Sequence, residues 1–99
     1  MITAEITIIP LGTGSTSLSS YVAAAVGALE DLDVKYEISG MGTLVEAEDL
    51  DELLEAVKAA HEAVLEAGSE RVYTTIRIDD RRDADRGLKD KVESVKRKI

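Results

Sequence analysis

An α+β fold is predicted for this 99-residue chain by three observations. Four short segments alternate apolar and polar residues, the period of a half-buried strand. Two longer segments repeat apolar residues at helical spacing, and the elements run strand, helix, strand, strand, helix, strand. That order is the split βαβ arrangement of a ferredoxin-like βαββαβ sandwich, an antiparallel four-stranded sheet with two helices on one face. One domain is expected over residues 1–99, with an added C-terminal helix at about 84–98.

The first strand rests on Ile2, Ala4, Ile6 and Ile8 alternating with Thr3, Glu5 and Thr7. A polar loop follows, Pro10-Leu11-Gly12-Thr13-Gly14-Ser15-Thr16-Ser17, with Ser15 or Ser17 as the expected N-cap of the next helix. Leu18, Val22, Ala25, Val26 and Leu29 then recur as a helix requires. Val34, Tyr36 and Ile38 mark the second strand, and Thr43 to Ala47 the third. Gly40 and Gly42 between them are expected to supply the positive φ of a tight hairpin loop. Asp49, with Glu52 three residues on, opens the second helix as in a capping box. Leu50, Leu53, Leu54, Val57, Ala60, Val64 and Ala67 form its apolar side, and Gly68 stops it. Val72, Thr74, Ile76 and Ile78 give the fourth strand one face, and Tyr73, Thr75 and Arg77 the other. Leu88, Val92, Val95 and Ile99 carry the third helix, whose four apolar positions require it to dock on its own domain or a neighbour.

Composition narrows the function. A net charge of −8 opposes phosphate backbones, so nucleic acid is not an expected partner. With no cysteine there are no disulfides, thiolate nucleophiles or cysteine metal sites, and one histidine, His61, gives little scope for a metal centre or triad. The charge-free run from Ile6 to Leu29 is broken by Pro10 and two glycines, and the N-terminus lacks a signal-peptide pattern. A cytoplasmic protein without membrane contact is the resulting expectation.

Two helices leave one sheet face open, on which Thr3, Glu5, Thr7, Ile9, Glu37, Ser39, Leu44, Glu46, Tyr73, Thr75 and Arg77 alternate outward. Glu5 and Glu46 are candidates there to bind a cation or an aminopyrimidine, with no accompanying nucleophile to make them an acid/base pair. Gly12-Thr13-Gly14 opens a helix but lacks the third glycine of a dinucleotide fingerprint and the Lys of a phosphate-binding loop. Asp79-Asp80-Arg81-Arg82-Asp83 reads as a solvated turn that also caps the third helix, and His61 as a rim residue of the second helix.

Ala4-Glu5, Ile9 to Thr13, Ser17 to Val22, Tyr36 to Thr43 and Gly68 to Val72 together resemble the thiamine-binding, YkoF-like family, archaeal members above all. The resemblance implies a ferredoxin-like subunit that assembles into homodimers and homotetramers, with no established catalytic activity; no cofactor and no metal are expected. It further implies binding of thiamine or its hydroxymethylpyrimidine part. Pro10, Gly12, Thr13, Ser20, Gly42 and Thr43 are the ligand-binding positions it carries over, beside Glu5 and Glu46 from the strand alternation. A regulatory or scaffolding oligomer, binding another protein through the open face or third helix, is the alternative.

Overall fold

The computed structural model describes residues 1–99. Its elements are β1 (Ile2–Leu11), α1 (Ser19–Asp31), β2 (Lys35–Ile38), β3 (Thr43–Ala47), α2 (Leu50–Glu66), β4 (Arg71–Asp80) and α3 (Leu88–Lys96). The sheet order is β2-β3-β1-β4, with every neighbouring pair antiparallel. This is the ferredoxin-like topology: α1 and α2 each cross over one strand, and right-handed crossovers put both on one face.

The core lies between that face and the two helices. Ile2, Ala4 and Ile6 of β1 and Val45 and Ala47 of β3 meet Leu29 of α1 and Leu53, Ala56, Val57, Ala60 and Val64 of α2. No aromatic ring is among the fully buried residues, so Ala56 and Ala60 let α2 settle close to the sheet. Tyr36 packs against the core from β2, and its hydroxyl donates to Glu30 at the end of α1. That carboxylate raises the Tyr36 pKa above its ordinary value, since ionising the phenol would surrender the bond.

Several local details depart from the sequence expectations. Leu18, not Ser15 or Ser17, occupies the α1 N-cap, without a side-chain cap. The hydroxyls are used inside the loop, where Thr13 Oγ1 donates to the Ser15 carbonyl and Ser15 Oγ accepts the Ser17 N–H. Gly40 and Gly42 do not take positive φ. The loop is closed instead by Ser39, whose N–H and hydroxyl both donate to the Gly42 carbonyl. Gly42 is needed for proximity: a Cβ there would lie 3.0 Å from Thr7 Oγ1 and 3.1 Å from Glu5 Cγ. Leu50 and Leu54 of α2 are 40% and 47% exposed, because edge strand β4 ends the sheet before covering them.

Asp49 does cap α2, accepting the Glu52 N–H at 2.8 Å, and Gly68 ends it at φ +116°. Pro10 sits within β1 opposite Val72 without breaking a ladder. The Met1–Arg81 pair fixes which backbone groups face β4, so the nitrogen of Pro10 points toward β3, whose pairing already ends at Ile6.

α3 starts at Leu88 rather than near Ala84, and it docks on its own chain, over a corner of the otherwise open sheet face. The charged turn does not cap it. Arg81 pairs with Asp83 and Arg82 with Asp80, each within the turn.

Candidate functional site

β1 and β4 lie side by side and antiparallel, so the loop leaving β1 stands beside the loop entering β4. Leu11 pairs with Arg71 at that end of the ladder. Gly12 and Gly14, at φ +76° and +75°, turn the first loop away from the strand into α1. The second loop is set by Gly68 and by Ser69, buried to 6% exposure, whose hydroxyl donates to the Arg71 carbonyl at 2.8 Å. Between them lies a cleft of about 520 Å³, with Leu11, Gly12, Thr13 and Tyr21 on one wall and Gly68, Ser69, Glu70 and Arg71 on the other. Its size falls within the range of small-molecule pockets. It offers an aromatic ring, a carboxylate, a guanidinium and a hydroxyl, which together can hold a flat polar heterocycle.

A second cleft, of about 420 Å³, lies between β2, β3 and the start of α3 and includes Lys35, Glu37, Glu46 and Leu88. Here the Glu46 and Asp90 carboxylates are already engaged. The Glu46 carboxylate accepts the Leu88 N–H at 2.7 Å and stands so near Gly87 that a Cβ there would lie 2.5 Å from Oε1. The Asp90 carboxylate accepts the Gly87 N–H at 2.9 Å. The Lys91 ammonium donates to Thr3 Oγ1 and to the Asp79 carboxylate, and this bond holds the Asp79 pKa below its ordinary value. Nearby, Glu5 accepts from Arg77 at 2.8 Å across the β1–β4 ladder, an ion pair whose arginine is 78% exposed.

The eight sequence candidates fall in separate places. Gly12 and Thr13 line the loop cleft; Pro10 supports it from within β1, and Ser20 is exposed on the adjoining first turn of α1. Gly42 covers Glu5 and Thr7 on the open face, while Thr43 faces the helices beside Ile6 and Ala25. Glu46 lies opposite Thr3, eight residues of β1 from Leu11, or about 27 Å of extended strand. One protomer therefore does not bring Thr13 and Glu46 to the same small ligand.

Sequence reasoning missed Tyr21, Glu70 and Arg71 as site residues. The signal was present in the strand order, which forces the β1–α1 and α2–β4 loops together. His61 of α2 is half-buried at the rim, its Nδ1 2.7 Å from Thr74 Oγ1.

Comparison with known proteins bears on the family and the fold. The profile of a family described as thiamine-binding protein matches residues 4–96. A UPF0045 protein of Methanothermobacter thermautotrophicus is 84% identical over 99 residues, covering 100% of both chains. The crystal structure of a hypothetical protein from Methanocaldococcus jannaschii superposes with a TM-score of 0.86 at 40% identity, covering 96% of this chain and 95% of that one. A Thermotoga maritima protein proposed for thiamine biosynthesis or salvage has a TM-score of 0.78 at 21% identity over 95% of this chain and 97% of its own, which bears on the fold alone.

Proposed function

Because this chain belongs to the thiamine-binding protein family, we propose that it binds thiamine, or the hydroxymethylpyrimidine part of it, in the cleft between the β1–α1 and α2–β4 loops. It does so as a homo-oligomer and without catalysing a reaction. One observation carries the choice of cleft. Three stretches behind the sequence resemblance, Ile9 to Thr13, Ser17 to Val22 and Gly68 to Val72, each contribute to its walls or to the strand ends beneath them.

The chemistry suits the ligand. The Tyr21 ring can stack on the aminopyrimidine, and the Glu70 carboxylate can accept from its amino group while offsetting the thiazolium charge. The Thr13 hydroxyl can donate to a ring nitrogen, at the cost of its present bond to the Ser15 carbonyl. A net charge of −8 favours approach of a cation. Glu46 and Glu5 are held in contacts of their own, which supports the loop cleft over the open face.

Calorimetric titration with thiamine, its phosphates and hydroxymethylpyrimidine tests the reading. Saturable heat with one of them, lost in Tyr21→Ala but kept in Glu46→Gln, is the expected result. Heat lost in Glu46→Gln and kept in Tyr21→Ala would move the site to the α3 corner. No heat from any of them would overturn the vitamin reading in favour of a scaffolding oligomer.

A further inference from the structure

On the reading that places thiamine or its pyrimidine in the loop cleft, we propose that the cleft takes the phosphate ester of that ligand in preference to the free alcohol, with Arg71 holding the phosphate.

Arg71 is the one arginine whose side chain has no partner inside the protein. Arg77 donates to Glu5, Arg81 to Asp83 and Arg82 to Asp80. Arg86 donates to Ser94 and to the Asp90 carbonyl, and Arg97 to Ser94. The Arg71 guanidinium, exposed on the cleft wall, has neither an ion pair nor a hydrogen bond. Its backbone, by contrast, is fixed. Ser69 Oγ donates to its carbonyl, and Leu11 is its partner across the β1–β4 ladder. A guanidinium keeps its charge at every working pH and carries five donors in a planar fork, the geometry that two phosphate oxygens accept.

The opposite wall adds donors of its own. The N–H groups of Gly12 and Thr13 have no acceptor in the chain, and Gly12 holds φ +76°. Both residues line the cleft, so a phosphate bound by Arg71 can also accept from this wall.

Charge decides which form of the ligand is preferred. Free thiamine is a cationic ring system ending in a neutral hydroxyl, and Glu70 alone answers its charge. Arg71, next to Glu70 on the same wall, meets that cation with a like charge. A phosphate monoester bears about −1.5 to −2 charges at pH 7. The ester of thiamine therefore presents a cation to Glu70 and an anion to Arg71, and both free charges of the cleft are matched. The net charge of −8 opposes an anion at long range, but at physiological salt that field is screened beyond about 8 Å, so the groups within the cleft prevail at contact.

Calorimetric titration with thiamine, thiamine monophosphate, hydroxymethylpyrimidine and its phosphate, on wild type, Arg71→Gln and Arg77→Gln, is the test. In wild type the ester should bind about tenfold or more tightly than its own alcohol, as a charge-assisted pair provides. Arg71→Gln should bring the ester down to the affinity of the alcohol. Arg77→Gln removes the same charge from the open face and should keep the preference. Equal affinities of ester and alcohol in wild type overturn the inference and leave the cleft reading standing, a result that holds even if Arg71→Gln does not fold. A preference that survives Arg71→Gln, or disappears equally in Arg77→Gln, also overturns it, because the phosphate is then held elsewhere or by net charge. Silence from every compound removes the cleft reading and the inference together.

Discussion

The carboxylate of Glu46 on β3 accepts the backbone N–H of Leu88, the first residue of α3, at 2.7 Å. A residue 42 positions away thus supplies the cap that Gly87, the N-cap residue, has no side chain to provide. α3 has no fully buried apolar residue of its own, so this bond and the Lys91 contacts, with half-buried Leu88, tie it to the sheet, while the Asp90–Gly87 bond closes its own first turn.

Glu46→Ala should accordingly loosen α3 and cost about 1 kcal/mol of unfolding free energy, the usual penalty for a lost cap. Glu46→Gln should cost less, because its amide oxygen still accepts. Gly87→Ala should imitate the loss, since its Cβ would press within 2.5 Å of Glu46 Oε1. The Gly87→Ala, Glu46→Ala double variant should cost little more than either change alone. Urea unfolding, with amide exchange across Leu88–Lys96, measures all four.

The Asp79–Lys91 bond gives the same docking a pH dependence. Asp79 has its pKa lowered in the folded chain, so its contribution is complete above the ordinary value of 3.8 and is lost as pH falls through the lowered one. Asp83, held down by Arg81, moves in the same sense. Chemical shifts of α3 amides should therefore begin to drift on acidification below about 3.8, ahead of those in the core strands. In Lys91→Ala, the Asp79 titration should move up toward the ordinary range. An unchanged Asp79 titration in that variant would remove Lys91 as the cause.

In the loop cleft, Tyr21→Ala should weaken thiamine binding by about 1–1.5 kcal/mol for the lost stacking. Glu70→Gln should cost about 1.5–3 kcal/mol, as loss of a charged hydrogen bond does. Calorimetry on variants with unchanged circular dichroism is the measurement. Equal affinities for wild type and both variants would exclude the cleft.

How far the sequence could be read follows from the range of each interaction. Strand alternation and the Asp49–Glu52 cap are local, and both appear where the residues predict them. The face of Glu46 was legible from its place in β3, but not its partner, because nothing local to Glu46 or Leu88 announces a bond between them. Exposure of Ile76, Ile78 and Leu54 was likewise hidden: period alone shows which face they share, not that the sheet ends there. The loop cleft was half legible. Gly12 and Thr13 were marked by their motif, whereas Glu70 and Arg71 join them only through the antiparallel pairing of β1 with β4.

Gly27 and Gly68, at each of which an added Cβ would meet nothing within 4 Å, separate conformational need from space. Gly27 is an exposed position within α1 without positive φ, so Gly27→Ala restores helix propensity and should stabilise the fold by about 0.5–1 kcal/mol. Gly68 ends α2 at φ +116°, a conformation an alanine reaches only with strain. Gly68→Ala should destabilise by about 1–3 kcal/mol despite the open space around it. Because Gly68 also lines the loop cleft, its substitution should disturb ligand affinity, while Gly27→Ala should leave it unchanged. Thermal unfolding midpoints that move in the same direction for both variants would refute the assignment of Gly68 to backbone geometry.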